Sequence, residues 1–114
     1  MKELKLLLHV PFYASFEPAL KMAKNFFKSL QEEEKGIVRI LVNFEGVLVL
    51  NHFENFRELL REILEKGGKI YFCEKALETF NIPLEKVPPQ ASTVPSGIRA
   101  LVEWQEEGFN YVRT

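Results

Sequence analysis

The chain has 114 residues, enough for one domain with one sizeable core, and its 46% hydrophobic and 27% charged residues are those of an ordinary globular protein. Fifteen basic against 16 acidic residues leave a formal net charge of -1, so no field steers the chain toward nucleic acid or an anionic membrane. All the acidic residues are Glu, which excludes an Asp-based cage for Mg²⁺ or Ca²⁺, and the one cysteine excludes an internal disulfide and a four-cysteine zinc site.

Leu4 to Val10 reads as a short buried strand, broken by Pro11. Its apolar run is interrupted by His9 and has no cleavage site after it, so no signal peptide is expected, and no stretch approaches the roughly 20 apolar residues of a membrane span. A cytoplasmic location is the default. Pro11–Phe16 is read as a loop and Glu17–Leu30 as a helix, with Leu20, Ala23, Phe27 and Leu30 on one stripe. Asn25 interrupts that helix and is expected to make a buried hydrogen bond to a loop. Glu32–Lys35 is expected to be a solvated turn closed by Gly36, followed by a parallel strand at Ile37–Asn43.

Phe44-Glu45-Gly46 turns the chain, and Val47–Leu50 fits either a strand fragment or the approach to a helix. Asn51-His52-Phe53-Glu54 has the spacing of an N-cap with Glu at the third helical position, with His52 on the surface. The helix it opens carries Phe56, Leu59, Leu60, Ile63 and Leu64, and Gly67-Gly68 ends it. Lys69–Cys73 is the third strand and Glu74–Phe80 a short helix, stopped by Asn81-Ile82-Pro83. Prolines confine the fourth strand to Ser92–Val94. Ser96 is the N-cap of a last helix with Ile98, Leu101 and Val102 inward and Gly108 as its stop. Phe109–Arg113 alternates like an exposed or edge strand. The alternation predicts a single domain over residues 1–114, with three α/β/α layers around a mostly parallel, Rossmann-like sheet of about five strands.

In open α/β sheets the binding crevice lies beyond the carboxyl ends of the strands. Those ends carry His9, Asn43 and Cys73, with Glu74 opening the helix after Cys73 and Ser96-Gly97 following the fourth strand. Cys73 meets the N-terminus of a helix, a position that favours the thiolate near neutral pH. It equally fits a small buried hydrophobe, the usual state of a free cysteine. His9 has two readings, a partner or proton shuttle for that thiol and a strand-end histidine satisfied by a backbone carbonyl. Two separated histidines and one cysteine form no metal constellation, and no cofactor motif is present: Gly67-Gly68-Lys69 lacks the rest of a phosphate loop, and neither GxGxxG nor GxSxG occurs.

The residues Ala19-Leu20-Lys21-Met22-Ala23-Lys24-Asn25, Cys73-Glu74-Lys75-Ala76-Leu77 with Asn81-Ile82, Val94-Pro95-Ser96-Gly97-Ile98 and Gln105-Glu106-Glu107-Gly108-Phe109-Asn110-Tyr111-Val112 carry a likeness. The chain resembles, nearly end to end, the DsrE/DsrF-like sulfur-relay family, related to the DsrE and TusD sulfurtransfer subunits. The last two blocks resemble its small stand-alone members. Asn81 stands where the family often has Gly, a mild departure because Asn tolerates the left-handed conformation.

The resemblance implies the DsrE/F-like fold, a homo-oligomer (a trimer or a hexamer), and a Cys73 that takes sulfane sulfur as a persulfide from a donor protein and hands it to an acceptor. A single thiol suits such a carrier, since persulfide exchange needs no second cysteine in the chain. The alternative is a non-catalytic oligomeric module for small-ligand binding or assembly with an inert Cys73. Its interface would draw on Trp104, Phe109 and Tyr111, which equally serve as core. Peroxide or disulfide sensing through Cys73 is a third reading.

Overall fold

The computed structural model describes residues 1–114. Five strands, β1 (Lys2–Val10), β2 (Glu34–Val42), β3 (Lys69–Cys73), β4 (Ser92–Val94) and β5 (Asn110–Arg113), form one sheet in the order β4-β3-β2-β1-β5. All four pairings are parallel. The helices are α1 (Phe16–Ser29), α2 (Arg57–Glu65), α3 (Glu74–Thr79) and α4 (Gly97–Glu106).

The strand order explains the layers. From β1 the chain steps outward through β2 and β3 to β4, then returns across the sheet to pair β5 with the other side of β1. Parallel crossovers are right-handed, so reversing the direction of travel moves the connecting helix to the opposite face. Accordingly α1, α2 and α3 share one face, and α4 alone covers the other. The larger core joins Leu8, Val10, Ile40, Val42, Ile70 and Phe72 to Leu20, Ala23, Leu60, Ile63 and Leu77. On the second face Leu7 and Leu41 meet Ala100, Leu101, Trp104 and Phe109, with Tyr71 and Val94 against them. The Arg39 guanidinium closes this smaller core. It lies 4.4 Å from the Phe109 ring centre and 5.0 Å from that of Trp104, and it pairs with Glu107 at 3.4 Å. Trp104 and Phe109 are therefore core residues, whereas Tyr111 is partly exposed on the edge strand.

Several local expectations need correction. Gly36 lies inside β2, which already begins at Glu34 because Lys2–Leu4 continue β1 and pair with Glu34–Gly36. Residues Pro11–Phe16 hold a 3₁₀ turn at Tyr13–Ser15 rather than a plain loop. The N-cap at Asn51 does not form: Phe44–Phe56 runs as 3₁₀ turns with a kink at His52, and the α-helix starts at Arg57. Burial of Val47, Val49, Leu50, Phe53 and Phe56 overrides the capping pattern, and the Asn51 side chain instead accepts from Lys86 Nζ at 2.9 Å.

Asn25 is exposed and makes no such buried bond. On α4 the inward stripe is Gly97, Ala100, Leu101 and Trp104, which leaves Ile98 and Val102 in solvent. Ser96 caps α4 as expected, accepting from the Arg99 N–H. Asn81 takes the left-handed conformation at φ 56°.

Gly46 fixes how the chain leaves β2. Its N–H donates to the carbonyls of Pro11 and Asn43, and an added Cβ would lie 2.5 Å from the Val10 carbonyl oxygen. Gly46→Ala is expected to lower the unfolding free energy in urea titration by about 1–3 kcal/mol; unchanged stability would contradict this close approach.

Candidate functional site

Strand register brings the sequence-predicted residues into one row. Leu41 of β2 pairs with Tyr71 of β3, so Asn43 and Cys73, each two residues further on, emerge side by side on the α4 face. The first residue of α4 docks against both: a Cβ on Gly97 would stand 3.2 Å from the Cys73 Cβ and 3.3 Å from the Asn43 Cβ. Cys73 is a free thiol, only 7% exposed, and its Sγ accepts from the Gly97 N–H at 3.3 Å. The sequence anticipates donors from α3, where Cys73 is the N-cap. The side chain makes no cap bond there and turns to α4 instead.

His9 occupies the next place in the row. Its partners are side chains, not the backbone carbonyl considered from sequence: Nε2 donates to Asn43 Oδ1 at 2.8 Å, and Nδ1 accepts from the Tyr111 hydroxyl at 2.6 Å. Because Asn43 Oδ1 only accepts, a proton sits on Nε2, and in the neutral ring Nδ1 is then free to accept the Tyr111 hydroxyl. Burial, the largest cause, pushes the His9 pKa below its ordinary value of 6.5, and the nearby Arg113 charge adds to this, while the Asn43 hydrogen bond opposes it. Thr114, the residue after β5, holds the same histidine by its backbone, since its N–H and hydroxyl both donate to the His9 carbonyl at 2.9 Å. The C-terminal segment thus grips His9 at both ends.

A cavity of about 450 Å³ opens over this row. His9, Asn43, Cys73, Ser96 and Gly97 line it, together with Lys75 and Thr79 of α3. Phe44, Ala76, Phe80, Ile98 and Leu101 give it apolar walls. Glu74 does not line it, because its carboxylate accepts the Thr93 hydroxyl at 2.6 Å. A larger, more open hollow of about 910 Å³ follows the solvent side of α4, but of the strand-end cluster it touches only Ser96.

Sequence reasoning missed Tyr111 as a partner of His9 and missed the cavity walls Phe44, Lys75, Phe80 and Ile98. The signal for Tyr111 is parity in the edge strand. It pairs with Leu7, two residues before His9, and so lies on the His9 face. Chemically the row offers a thiol sulfur beside an N–H donor, an amide whose Nδ2 is free of protein partners once Oδ1 engages His9, and an imidazole that fixes that amide.

The chain is thus a parallel α/β protein with a strand-end crevice and a cysteine on its floor. The DsrE/DsrF-like family model matches residues 11–113, and the chain belongs to that family. Among solved structures it is similar to the protein of unknown function MTH1491 of Methanobacterium thermoautotrophicum, with a TM-score of 0.81, 17% identity and 100% of both chains covered. It is also similar to the conserved protein of unknown function BT1422 of Bacteroides thetaiotaomicron, with a TM-score of 0.70, 19% identity and coverage of 99% of this chain and 95% of that one. These likenesses show the shared fold. No curated protein matches the chain.

The buried His9 makes stability depend on pH. Its folded pKa lies below the unfolded value, so the unfolded chain binds more protons between the two, and stability rises with pH across that window. The contribution is complete above the unfolded value near 6.5 and is lost as pH falls toward the folded one. Urea titrations from neutral pH into that window should show the loss in wild type and a flatter profile in His9→Gln. Equal slopes in the two proteins would contradict a buried, neutral His9.

Proposed function

We propose that this protein carries sulfane sulfur on Cys73. The Cys73 thiolate attacks the terminal sulfur of a donor persulfide R–S–SH. A new S–S bond forms at Cys73, the donor's S–S bond breaks, and the donor leaves as R–S⁻. An acceptor thiolate then attacks the outer sulfur of the Cys73 persulfide and takes it, which regenerates the Cys73 thiolate with no net oxidation.

One observation carries this reading: the only thiol of the chain lies on the floor of a cavity at the strand ends, with the Gly97 N–H 3.3 Å from its sulfur. An amide aimed at sulfur stabilises the negative charge that develops when the thiol or its persulfide ionises. Membership of the DsrE/DsrF-like family supports a sulfur-relay-related role. On this reading the chain is a single cytoplasmic domain with no metal or cofactor, working with donor and acceptor proteins rather than with nucleic acid or a membrane. No helix is long and apolar enough to cross a membrane.

The edge position of β5, with Tyr111 and Val112 partly exposed on it, favours assembly into a homo-oligomer, for which the family resemblance implies a trimer or a hexamer. The same exposed strand, with the 7% exposure of Cys73, favours the second reading, an assembly or small-ligand module whose thiol is inert.

Incubation with an inorganic polysulfide followed by intact mass measurement separates the two. The wild type is expected to gain one sulfur atom that reducing agent removes, and Cys73→Ser to gain none. A wild type that gains nothing, or a gain that persists in Cys73→Ser, would contradict the carrier role.

A further inference from the structure

Two features of the crevice bear on what enters it. The first is reach. Cys73 is 7% exposed at the floor of a cavity of about 450 Å³, within the roughly 300–1,000 Å³ typical of small-molecule sites. An atom at the floor of such a cavity is reached by a slender group, whether a small molecule or an extended segment of a protein, more readily than by a convex surface.

The second is charge. Sixteen of the 114 residues are Glu, yet no carboxylate lines this cavity. Its single charged lining residue is Lys75, which is exposed and takes part in none of the ion pairs that engage Lys21, Lys24, Arg39, Arg57, Arg61 and Arg99. His9 is neutral, and the Asn43 Nδ2 is a further donor without a protein partner. The lining therefore carries one positive charge and hydrogen-bond donors and no negative charge, although Glu74 and Glu78 flank Lys75 on α3.

Its mouth is apolar. Phe44 is 67% exposed and Ile98 is 68% exposed, and Phe44 holds φ 48°, a conformation that costs a side chain with a Cβ. Two large apolar side chains standing in water beside an unpaired cation match a ligand with an apolar body and an anionic group.

We infer that the Cys73 crevice binds low-molecular-weight anions with an apolar body. A persulfide of a small organic thiol is the donor or acceptor of that description. The identity of the exchanged sulfur rests on the carrier reading above, whereas the binding preference stands on the cavity itself.

The test uses paired thiosulfonates on the intact protein. The Cys73 thiolate attacks the sulfenyl sulfur, displaces methanesulfinate and forms a mixed disulfide, so rates report access to the sulfur without any persulfide. Sulfonatoethyl and trimethylammonioethyl methanethiosulfonate differ in the sign of one charge. Their rate ratio at Cys73, normalised to the same ratio on a cysteine peptide, is expected to favour the anion by about threefold to tenfold. Lys75→Glu should reverse that preference, and the exposure of Lys75 makes the variant compatible with folding.

Benzyl methanethiosulfonate should outpace the methyl reagent at Cys73 by more than on the peptide, and Ile98→Ser should reduce that advantage. A normalised charge ratio of one, a ratio unmoved by Lys75→Glu, no benzyl advantage, or no reaction of folded Cys73 with any reagent would each overturn the inference. Charge and benzyl preferences that persist in a protein taking up no polysulfide sulfur uphold the anion site and overturn only the carrier reading. Sulfur uptake without either preference does the reverse.

Discussion

The contact between the first residue of α4 and the ends of β2 and β3 organises this molecule. Gly97 has no Cβ, and this lets the helix start press against Cys73 and Asn43 with its N–H 3.3 Å from the Cys73 sulfur. An added Cβ would stand 3.2 to 3.3 Å from both side chains, so they would have to yield by a few tenths of an ångström. The same contact seats Ala100, Leu101 and Trp104 on Leu7 and Leu41, so the smaller core and the sulfur site share one docking event.

The dependence runs back to topology. β5 returns to the far side of β1, which obliges α4 to cross the face that the other helices leave open. That crossing carries the helix start to the carboxyl ends of the strands, where parallel sheets place their ligand sites. It also delivers Tyr111 to His9, and through His9 it fixes the Asn43 amide beside the sulfur. The C-terminal segment is therefore part of the site as much as of the fold, since removing it would free His9 at its ring and its carbonyl together.

Much of this was legible locally. Strand ends reveal themselves where an apolar run meets a polar residue, and His9, Asn43 and Cys73 do so. Five of the six strand-end candidates line one cavity; Glu74, held by Thr93, does not. Contacts set by distant pairing were not legible. Tyr111 reaches His9 across 102 residues of sequence, and nothing near either residue announces it. The α4 stripe was misphased because its inward face is built on Gly97 and Ala100, whose small side chains carry little hydrophobic signal, while Ile98 and Val102 carry more and face water. Asn51 obeyed a capping pattern in sequence but lost to the burial of Phe53 and Phe56 around it.

A sulfur close to an amide is chemically different from a sulfur merely enclosed in hydrocarbon, and the whole functional reading turns on that difference. The amide proton of Gly97, followed by NMR as pH is raised through ionisation of the thiol, reports it directly. It should move downfield with the same midpoint as the thiol in wild type and remain still in Cys73→Ser. A Gly97 amide indifferent to the ionisation of Cys73 would contradict the contact on which the site is built.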